Sequence, residues 1–424
     1  MMEELSLFGR NLASGSGIEH LMDDLSHALA TGKNEMRMLG GGNPAFIPEM
    51  EAVWRKRMAE ILEEPRSFER ILGTYDPPKG NQLFATALAS LLRKEFGWQI
   101  TADNIAVTNG GQAAFFALFN LLGGSFPNGR FKSILLPQGP EYIGYANQSA
   151  SAGLFTAISP KIQFSGNHRF KYYLDFEQLH PTRDTIGAIC VSRPTNPSGN
   201  VLTDEEMLQL DVIAQDAGVP LLVDNAYGAP FPGILFKEIT PHWNENTIFV
   251  LSLSKFGLPG LRTGFVVARP EIIRALASFN AVTQLANGSL GQAMLLPLVE
   301  SGEILRLARD VVRPYYEKKS LQAQRWIREA FDDTLDYLVH ESEGALFLWL
   351  WFRNLPISSM ELYERLRQRG VLVVSGHYFG YGGAEIAAHC QECIRLNFAM
   401  DDQTVQSGIG ILADEIRRIY RSPN

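Results

Sequence analysis

The chain has 424 residues, of which 46% are hydrophobic, and a net charge of −8. It is too long for a single hydrophobic core, and its interspersed charges argue against nucleic-acid binding and against an anionic membrane surface. The longest apolar runs are of strand length, and the acidic N-terminus lacks the basic start and apolar core of a signal peptide. These features predict a soluble, cytoplasmic protein with no membrane or nucleic-acid partner.

Three regions are predicted along the chain. Residues 1–45 are expected to form an N-terminal arm and a loop containing three consecutive glycines, which together belong to the smaller domain. Residues 46–310 alternate apolar strands with helical segments, the pattern of a doubly wound, mostly parallel sheet. Residues 311–424 begin with an amphipathic stretch and predict a smaller α+β domain. The fold class predicted is therefore α/β, with a large domain and a small one.

The strands expected in the large domain lie at 104–108, 133–137, 186–192, 219–224, 247–251 and 264–268. Those expected in the small domain lie at 345–352, 371–374 and 393–398. Four of these strands run into motifs that carry polar or glycine residues. Since open α/β sheets bind ligands at the carboxyl ends of their strands, these four motifs are the candidates for a binding site.

The first motif is Asn109-Gly110-Gly111-Gln112, which follows a strand and opens an alanine-rich segment. The bare amides at the start of such a helix form an anion site, so a phosphate fits there. Two glycines before a helix are weak evidence by themselves.

The second motif follows the apolar strand 186–192 and contains Asn196 between two prolines. Prolines and glycine end the strand and fix a turn, and Thr203 with Glu206 then forms a capping box that opens a helix. Asn196 is therefore expected at a strand end with its amide free to donate. An asparagine that only caps a turn is an equally common outcome for such a connection.

The third motif is Asp224-Asn-Ala-Tyr227, at the end of a strongly apolar strand. A carboxylate in that position is costly unless it has a partner, and a pyridinium N–H is such a partner. Tyr227 follows on the same turn, where its hydroxyl could donate to a ring oxygen. The alternative is an aspartate that caps the next helix.

The fourth motif is Ser252-Leu-Ser254-Lys255, with Arg262 following a Gly-Leu-Pro-Gly turn. Lysine forms Schiff bases with aldehydes, and arginine binds phosphate through two parallel hydrogen bonds. A lysine, two serines and an arginine close together suit an aldehyde cofactor that carries a phosphate, which is pyridoxal 5'-phosphate (PLP). A lysine in such a motif, without other evidence, is more often an exposed loop residue. The other three motifs favour the cofactor-binding interpretation instead.

Together the motifs occur in the chain order of the fold-type I PLP-dependent enzymes, and nearly the whole chain resembles the aspartate aminotransferase superfamily (class I/II). Five stretches, three of which include motifs described above, resemble its valine–pyruvate aminotransferase subgroup: 39–45, 140–145, 192–201, 224–228 and 252–260. The resemblance implies a PLP-dependent aminotransferase that exchanges an amino group between a small apolar amino acid (valine or alanine) and a 2-keto acid (pyruvate or 2-oxoisovalerate) by ping-pong kinetics.

The resemblance also implies roles for individual residues. Lys255 would bind the cofactor covalently and shuttle the proton, and Asp224 would pair with the ring nitrogen. Asn196 and Tyr227 would hold the 3-oxygen of the ring, and Tyr142 would stack on the ring. Lys255, Asp224 and Tyr227 are therefore the expected catalytic residues.

For the phosphate, the resemblance implies contacts with the amides of Gly111 and Gln112 and with Ser252, Ser254 and Arg262. Among the substrate contacts, Gly42 would approach the carboxylate, Arg395 would grip it with two hydrogen bonds, and Asn196 would lie beside it. Tyr75 would cross the interface of a homodimer and reach the phosphate in the partner's site.

Two features depart from the commoner family pattern. Arg262 lies seven residues after Lys255, where eight is usual, so the turn between them is one residue shorter. No residue matches the second arginine that dicarboxylate-specific members use, which favours a small or apolar substrate.

Alternative functions on this scaffold are PLP-dependent lyases or synthases of the C–S lyase or cyclopropane-carboxylate synthase type, and a non-catalytic regulator. The regulators carry a basic DNA-binding segment ahead of the fold, and residues 1–40 are acidic.

Cys390 and Cys393 form one C-x-x-C pair without the further ligands of a metal site, so reduced cysteines and no metal are expected.

Overall fold

The computed structural model describes residues 4–13, 17, 19, 23, 36–331 and 335–421, so most of the predicted N-terminal arm lies outside the described residues. The strands are β1 (Arg37–Met38), β2 (Ile105–Thr108), β3 (Gly124–Ser125), β4 (Phe131–Leu136), β5 (Phe155–Ala157), β6 (Lys161–Phe164), β7 (Arg169–Tyr173), β8 (Ile186–Ser192), β9 (Leu221–Asn225), β10 (Thr247–Ser252), β11 (Gly264–Val267), β12 (Tyr337–His340), β13 (Phe347–Phe352), β14 (Val371–Leu372), β15 (Val374–Ser375) and β16 (Cys393–Asn397).

The α-helices of the described residues are α1 (Leu7–Leu12), α2 (Pro48–Glu63), α3 (Ser67–Gly73), α4 (Gln82–Phe96), α5 (Gly111–Leu122), α6 (Asp204–Ala217), α7 (Pro270–Gln284), α8 (Leu290–Ser301), α9 (Glu303–Leu307), α10 (Arg313–Ala330), α11 (Ser359–Gln368), α12 (Ala384–Cys390) and α13 (Asp402–Arg421). None of these helices is long and apolar enough to cross a membrane.

The larger sheet has the strand order β2-β11-β10-β9-β8-β4-β3, with β5 paired to β4. Its centre is parallel, from β10 through β9 and β8 to β4 and β5, and β11 runs antiparallel between β10 and β2. The six strands predicted for this region are all present, with ends that differ by at most two residues. The predicted α/β class with a mostly parallel sheet is confirmed.

Both faces of the larger sheet are covered. Leu221 and Val223 of β9 belong to one hydrophobic cluster, and Leu222 between them belongs to another on the opposite face. Side chains alternate across a strand, so a strand that is apolar at every position must be buried on both sides. This explains why the strands read as continuous apolar runs in the sequence.

The second sheet has the order β15-β16-β13-β12-β7-β6 and is antiparallel except where β7 pairs with β12. Strands β6 and β7 come from within 46–310, the range predicted for the large domain. Both strands are short, mix charged or polar residues with apolar ones, and lie far in sequence from their partner strands, so this pairing was not predicted. The division into domains stays a prediction, with 161–173 contributing to the sheet of the C-terminal region.

One helix shows how local sequence shapes the surroundings of the site. The side chain of Thr203 accepts a hydrogen bond from the Glu206 amide, the Glu206 carboxylate accepts one from the Thr203 amide, and α6 ends at Gly218 in the left-handed region. This is the predicted capping box. It fixes where α6 begins and so limits the loop that carries Asn196 to the residues between Ser192 and Thr203.

Candidate active site

The carboxyl ends of three neighbouring parallel strands meet at one edge of the larger sheet. Ser192 of β8 pairs in register with Asp224 of β9, and β10 beside them ends at Ser252. These ends line a cavity of about 160 Å³, as an open α/β sheet would predict. The lining residues are Gly111, Gln112, Phe115, Tyr142, Ser192, Pro194, Asn196, Asp224, Ala226, Tyr227, Val250, Ser252, Ser254, Lys255 and Arg262.

Asp224 is a buried carboxylate with two hydrogen bonds. Its Oδ1 accepts from the Ala226 amide at 2.8 Å and its Oδ2 from the Tyr145 hydroxyl at 2.5 Å. Burial raises the pKa of Asp224 to about 6, against the hydrogen bonds and the charge of Lys255, which lower it. The side chain is therefore largely ionised at neutral pH and can pair with a cationic ring nitrogen in the cavity.

Lys255 follows β10 in a short 3₁₀ turn, Ser254–Phe256, and its half-buried side chain lines the cavity. Its Nζ donates to the Gly42 carbonyl at 2.5 Å and lies 5.5 Å from the centre of the Tyr227 ring. Burial, followed by the charges of Arg395 and Arg262, lowers the pKa of Lys255 to about 8. A larger share of neutral, nucleophilic amine is thus present near neutral pH than for an exposed lysine.

At the other end of the cavity lie the groups predicted to bind phosphate. Helix α5 begins at Gly111, and no side chain among the described residues caps it, so its leading amides are free for an anion. The Ser252 and Ser254 hydroxyls are 3.2 Å apart, and Arg262 Nη1 lies 3.5 Å from Ser254 Oγ. The short turn after Lys255 therefore still brings Arg262 to these serines.

Glycine at position 110 is needed for that arrangement. Its φ is +85°, and a Cβ there would lie 2.6 Å from Nη2 of Arg262. A larger residue would be strained in its backbone and would displace the guanidinium. The Gly-Gly pair before α5 thus serves both the anion site and the approach of Arg262.

Arg395 on β16 is buried, with a relative exposure of 2%. Its Nη1 donates to Asn196 Oδ1 at 2.8 Å, its Nη2 donates to the Gly40 carbonyl at 2.7 Å, and its Nε has no partner among the described residues. The guanidinium carbon lies 4.0 Å from the centre of the Phe347 ring. Desolvation lowers the pKa of Arg395 to about 10, which leaves it cationic at neutral pH. A buried cation with an unused donor is suited to a substrate carboxylate.

The Gly40–Gly42 loop joins the two sides of the site through three successive carbonyls. Gly40 accepts from Arg395, Gly41 from Asn397 Nδ2 at 2.5 Å, and Gly42 from Lys255. Each donor lies more than two hundred residues away in sequence, so this loop is held by tertiary contacts alone.

The structure brings together most of the predicted site residues. Ten of them line the cavity: Gly111, Gln112, Tyr142, Asn196, Asp224, Tyr227, Ser252, Ser254, Lys255 and Arg262. Gly42 and Arg395 join them through hydrogen bonds to Lys255 and Asn196. Tyr75 is 82% exposed and does not line this cavity, so its role across a dimer interface stays a prediction.

The roles of three further residues were not predicted from the sequence: Glu141, Tyr145 and Ser192. Tyr145 donates to Asp224, and Glu141 accepts from the Ser192 amide and is hydrogen-bonded to the Ser192 hydroxyl. Glu141 did carry a usable signal, because it is a carboxyl group shortly after the apolar strand β4, as Asp224 is a carboxyl group near the end of β9. Cys390 and Cys393 are free and buried, and desolvation raises the pKa of both thiols.

Comparison with known proteins agrees with this site. Residues 50–412 match the family model described as aminotransferase class I and II. The valine–pyruvate aminotransferase of Escherichia coli (strain K12) is 45% identical over 98% of each chain. Two crystal structures are also similar. A putative amino-acid aminotransferase from Psychrobacter arcticum 273-4 has a TM-score of 0.95 and 41% identity, covering 99% of this chain and 100% of its own. A valine–pyruvate aminotransferase from Salmonella typhimurium LT2 has a TM-score of 0.87 and 44% identity, covering 96% and 100%.

The fold and the cavity define an α/β enzyme of the PLP-dependent, fold-type I class. Within that class the chain belongs to the class I and II aminotransferases. It is therefore a PLP-dependent aminotransferase, and the lyase and synthase alternatives are not favoured.

The residues present fit the cofactor. Free helix amides, two hydroxyls and Arg262 suit the phosphate, and the Asp224 carboxylate suits a protonated ring nitrogen. Lys255 supplies the amine that an aldehyde requires. The cavity thus offers a matching partner for each polar end of pyridoxal 5'-phosphate.

Proposed function

We propose that the enzyme transfers the amino group of a small apolar amino acid, valine or alanine, to a 2-keto acid such as pyruvate or 2-oxoisovalerate. The observation that carries this proposal is the meeting of Lys255, Asp224 and Arg395 beside a small apolar recess. The names of the similar E. coli and Salmonella enzymes support the same substrate pair.

The apolar recess is a small hollow that adjoins Lys255. It is lined by Ala45, Phe46, Ile47, Met50, Glu51, Trp54, Lys255, Phe256, Gly257, Val312 and Tyr316. Apart from Lys255, Glu51 is the one charged residue among these described side chains, and none is an arginine. An aliphatic side chain gains from contact with this lining, whereas a second carboxylate would be repelled by Glu51 and would meet no arginine. The recess therefore supports a small apolar substrate over a dicarboxylate.

Arg395 is proposed to orient the substrate. It presents a buried cation, held in place by Asn196 and the Gly40 carbonyl, whose Nε has no partner within the described part of the chain. A carboxylate bound there fixes one end of the amino acid, so the orientation of the Cα–H bond relative to Lys255 is set before reaction. Asn196 accepts a hydrogen bond from Arg395 and also lines the cavity, so it connects the carboxylate site to the cofactor site.

Lys255 is proposed to move the proton. When bound, the cofactor supplies an electron sink that stabilises negative charge developing at Cα. Lys255 Nζ, with its pKa lowered to about 8, can take the Cα proton as a neutral amine and return it as an ammonium. Asp224 would pair with the ring nitrogen, and Tyr227 and Asn196 would hold the ring oxygen, since all three residues line the cavity. Because the amino acid and the keto acid would use Arg395 and Lys255 in turn, we expect ping-pong kinetics.

A homodimer is proposed to complete the site. Tyr75 is exposed, and so are the nearby apolar residues Leu72 and Leu83, while a second cavity lies open beside Arg262 and is partly lined by Phe116 and Phe279. Such apolar exposure is costly for a monomer. A second copy that inserts Tyr75 beside Arg262 would cover this surface and add a hydroxyl to the phosphate site. A cytoplasmic location also stays a prediction.

Charge reversal in the apolar recess tests the substrate preference. Glu51→Arg should raise kcat/KM for L-aspartate relative to L-valine, by about tenfold, because it replaces a repulsive charge with an attractive one. Glu49→Arg is the matched control, because Glu49 is an exposed glutamate of the same helical turn that does not line the recess. An unchanged ratio in Glu51→Arg, or L-aspartate as the better substrate of the wild type, would refute the recess as the side-chain site.

A further inference from the structure

Glu141 is a second buried carboxyl group next to the cofactor site, and the chemistry described above does not use it. It follows β4 and has a relative exposure of 3%. Its Oε1 lies 3.0 Å from the Ser192 amide, and its Oε2 lies 2.9 Å from the Tyr142 amide and 2.8 Å from Ser192 Oγ. Burying a carboxyl group this deeply costs free energy if the group is ionised and has no cation beside it.

Glu141 and Asp224 are the two ends of one hydrogen-bonded row. Ser192 Oγ lies 3.4 Å from the Tyr145 hydroxyl, and Tyr145 donates to Asp224 Oδ2. The titratable groups that face Glu141 are Asp224, Tyr145, Cys190 and Tyr381, which are acids and not cations. Two carboxyl groups thus share a row of hydroxyls without a positive charge between them among these described groups.

The number of protons decides how the row is connected. If Glu141 is ionised, the single proton of Ser192 points to Glu141 and the single proton of Tyr145 points to Asp224. The contact between the two hydroxyl oxygens then has no proton to share. If Glu141 is protonated, it donates to Ser192, Ser192 donates to Tyr145, and Tyr145 donates to Asp224. Every contact is then a hydrogen bond and every proton points towards Asp224.

We propose that Glu141 is a positioning residue that stays protonated and directs the row through Ser192 and Tyr145 so that Asp224 remains a carboxylate facing the cofactor ring. The inference rests on the proposed role of Asp224 opposite the ring nitrogen. Glu141 touches neither substrate nor cofactor in this account. It acts by fixing the direction of three hydrogen bonds and by keeping a second negative charge away from Asp224.

The electrostatics of the two carboxyl groups agree with this assignment. Burial raises the pKa of Glu141 to about 8 and that of Asp224 to about 6. Hydrogen bonds lower both pKa values, but the charge of Lys255 also lowers that of Asp224, whereas the charge of Asp224 raises that of Glu141. At pH 7, therefore, Glu141 holds its proton and Asp224 does not. As the pH rises through about 8, Glu141 ionises and the row reverses at Ser192.

Infrared spectroscopy of the protein without added substrate tests whether Glu141 or Asp224 is the protonated carboxyl group. The account predicts the carbonyl stretch of a protonated carboxylic acid at pH 7. That band should be absent from Glu141→Gln, should persist in Asp224→Asn, and should disappear from the wild type as the pH is raised beyond about 8. Glutamine has nearly the same shape as glutamic acid, so the variant should fold. A band that is absent from the wild type, or that is removed by Asp224→Asn and kept by Glu141→Gln, would overturn the proposal.

Cofactor affinity gives a second readout that a purely structural role would not produce. Glu141→Gln, which is neutral like the protonated acid, should keep the dissociation constant of pyridoxal 5'-phosphate at pH 7 within about threefold and reduce its change between pH 7 and 9 to the part caused by Lys255. Ser192→Ala, which interrupts the row, should weaken affinity about tenfold at pH 7. Equal losses in both variants at every pH would contradict the directional role.

The proposed role of Asp224 and the inferred role of Glu141 can be refuted separately. If Asp224→Asn leaves cofactor affinity unchanged, the proposed role of Asp224 fails, whatever the infrared result for Glu141. If Asp224→Asn weakens affinity and the acid band is still present in Glu141→Gln, the inference about Glu141 alone is wrong.

Discussion

Two walls of the active site are built in different ways. One wall consists of the carboxyl ends of β8, β9 and β10, where Asp224 is the penultimate residue of β9 and Lys255 lies three residues after the end of β10. In the other wall, the Gly40–Gly42 loop is joined to β16 by a hydrogen bond from Arg395 to the Gly40 carbonyl, two residues that are 355 positions apart in sequence. The first wall depends on local strand order, and the second on tertiary contacts. We refer to them as the strand-end wall and the loop wall.

This difference explains how much could be predicted from the sequence. The strand-end wall could be predicted from the sequence, because an apolar run followed by a polar residue marks both the strand and its end, as for Asp224. The loop wall could be predicted only from the family resemblance, since nothing in the local sequence distinguishes Arg395 from a surface cation. The roles of Glu141 and Tyr145 were not predicted because a row of hydrogen bonds depends on side-chain positions that sequence spacing does not reveal.

The fold shows the same contrast. Six strands of the larger sheet were predicted closely because most of their residues are buried and apolar. The short strands β3 and β5, which contain exposed or half-buried residues, were not predicted. Strands β6 and β7 were missed, because β6 is largely exposed and its pairing partner β7 joins the second sheet. Lys171 on β7 donates to Asn200 at 2.7 Å, so this missed hairpin also supports the loop that carries Asn196.

Removal of the amine from the strand-end wall should have the largest effect. Lys255→Ala is expected to lower the rate of transamination by at least about 10⁴-fold, because no other described amine lines the cavity to carry the proton. The phosphate contacts are expected to keep the cofactor bound. Steady-state kinetics and cofactor content measure the two effects. Lys56→Ala, at an exposed lysine of α2, is the control, and near-normal turnover by Lys255→Ala without added amine would contradict the assignment.

Removal of the carboxylate from the strand-end wall should have the next largest effect. Asp224→Ala leaves the ring nitrogen without its ionic partner, so it should weaken cofactor binding and lower kcat by about 100-fold or more. Asp216→Ala, at the C-terminal end of α6, is the matched surface control. A fall in kcat of less than about tenfold, or roughly 1.4 kcal/mol, would show that Asp224 does not stabilise the ring charge.

Substitution in the loop wall should change substrate binding more than chemistry. Arg395→Gln removes a charge-assisted contact with the substrate carboxylate, worth about 1.5–3 kcal/mol for each hydrogen bond, so KM for both amino and keto acid should rise by at least about tenfold. Cofactor affinity should change little. A loss confined to cofactor binding, with KM unaltered, would place Arg395 in the cofactor site instead of the substrate site.

Alanine substitutions at two glycines of the loop wall, Gly40 and Gly42, are expected to have smaller effects on KM. A Cβ on residue 40 would lie 2.5 Å from the Val373 carbonyl oxygen, whereas one on residue 42 would lie 3.6 Å from Lys255 Nζ, an ordinary contact. Gly40→Ala should therefore displace the carbonyl that holds Arg395 and raise KM several-fold, and Gly42→Ala should change it by less than about twofold. The opposite order in steady-state KM values would show that Gly42 is the more tightly packed position.

The most direct test of the central claim is a single turnover of the PLP-loaded enzyme with L-valine and no keto acid. The account predicts that the absorbance of the lysine-bound cofactor is lost and that one equivalent of keto acid per subunit appears, while the amino group stays on the cofactor as pyridoxamine phosphate. Release of ammonia with return of the original absorbance would contradict transamination and point to lyase chemistry.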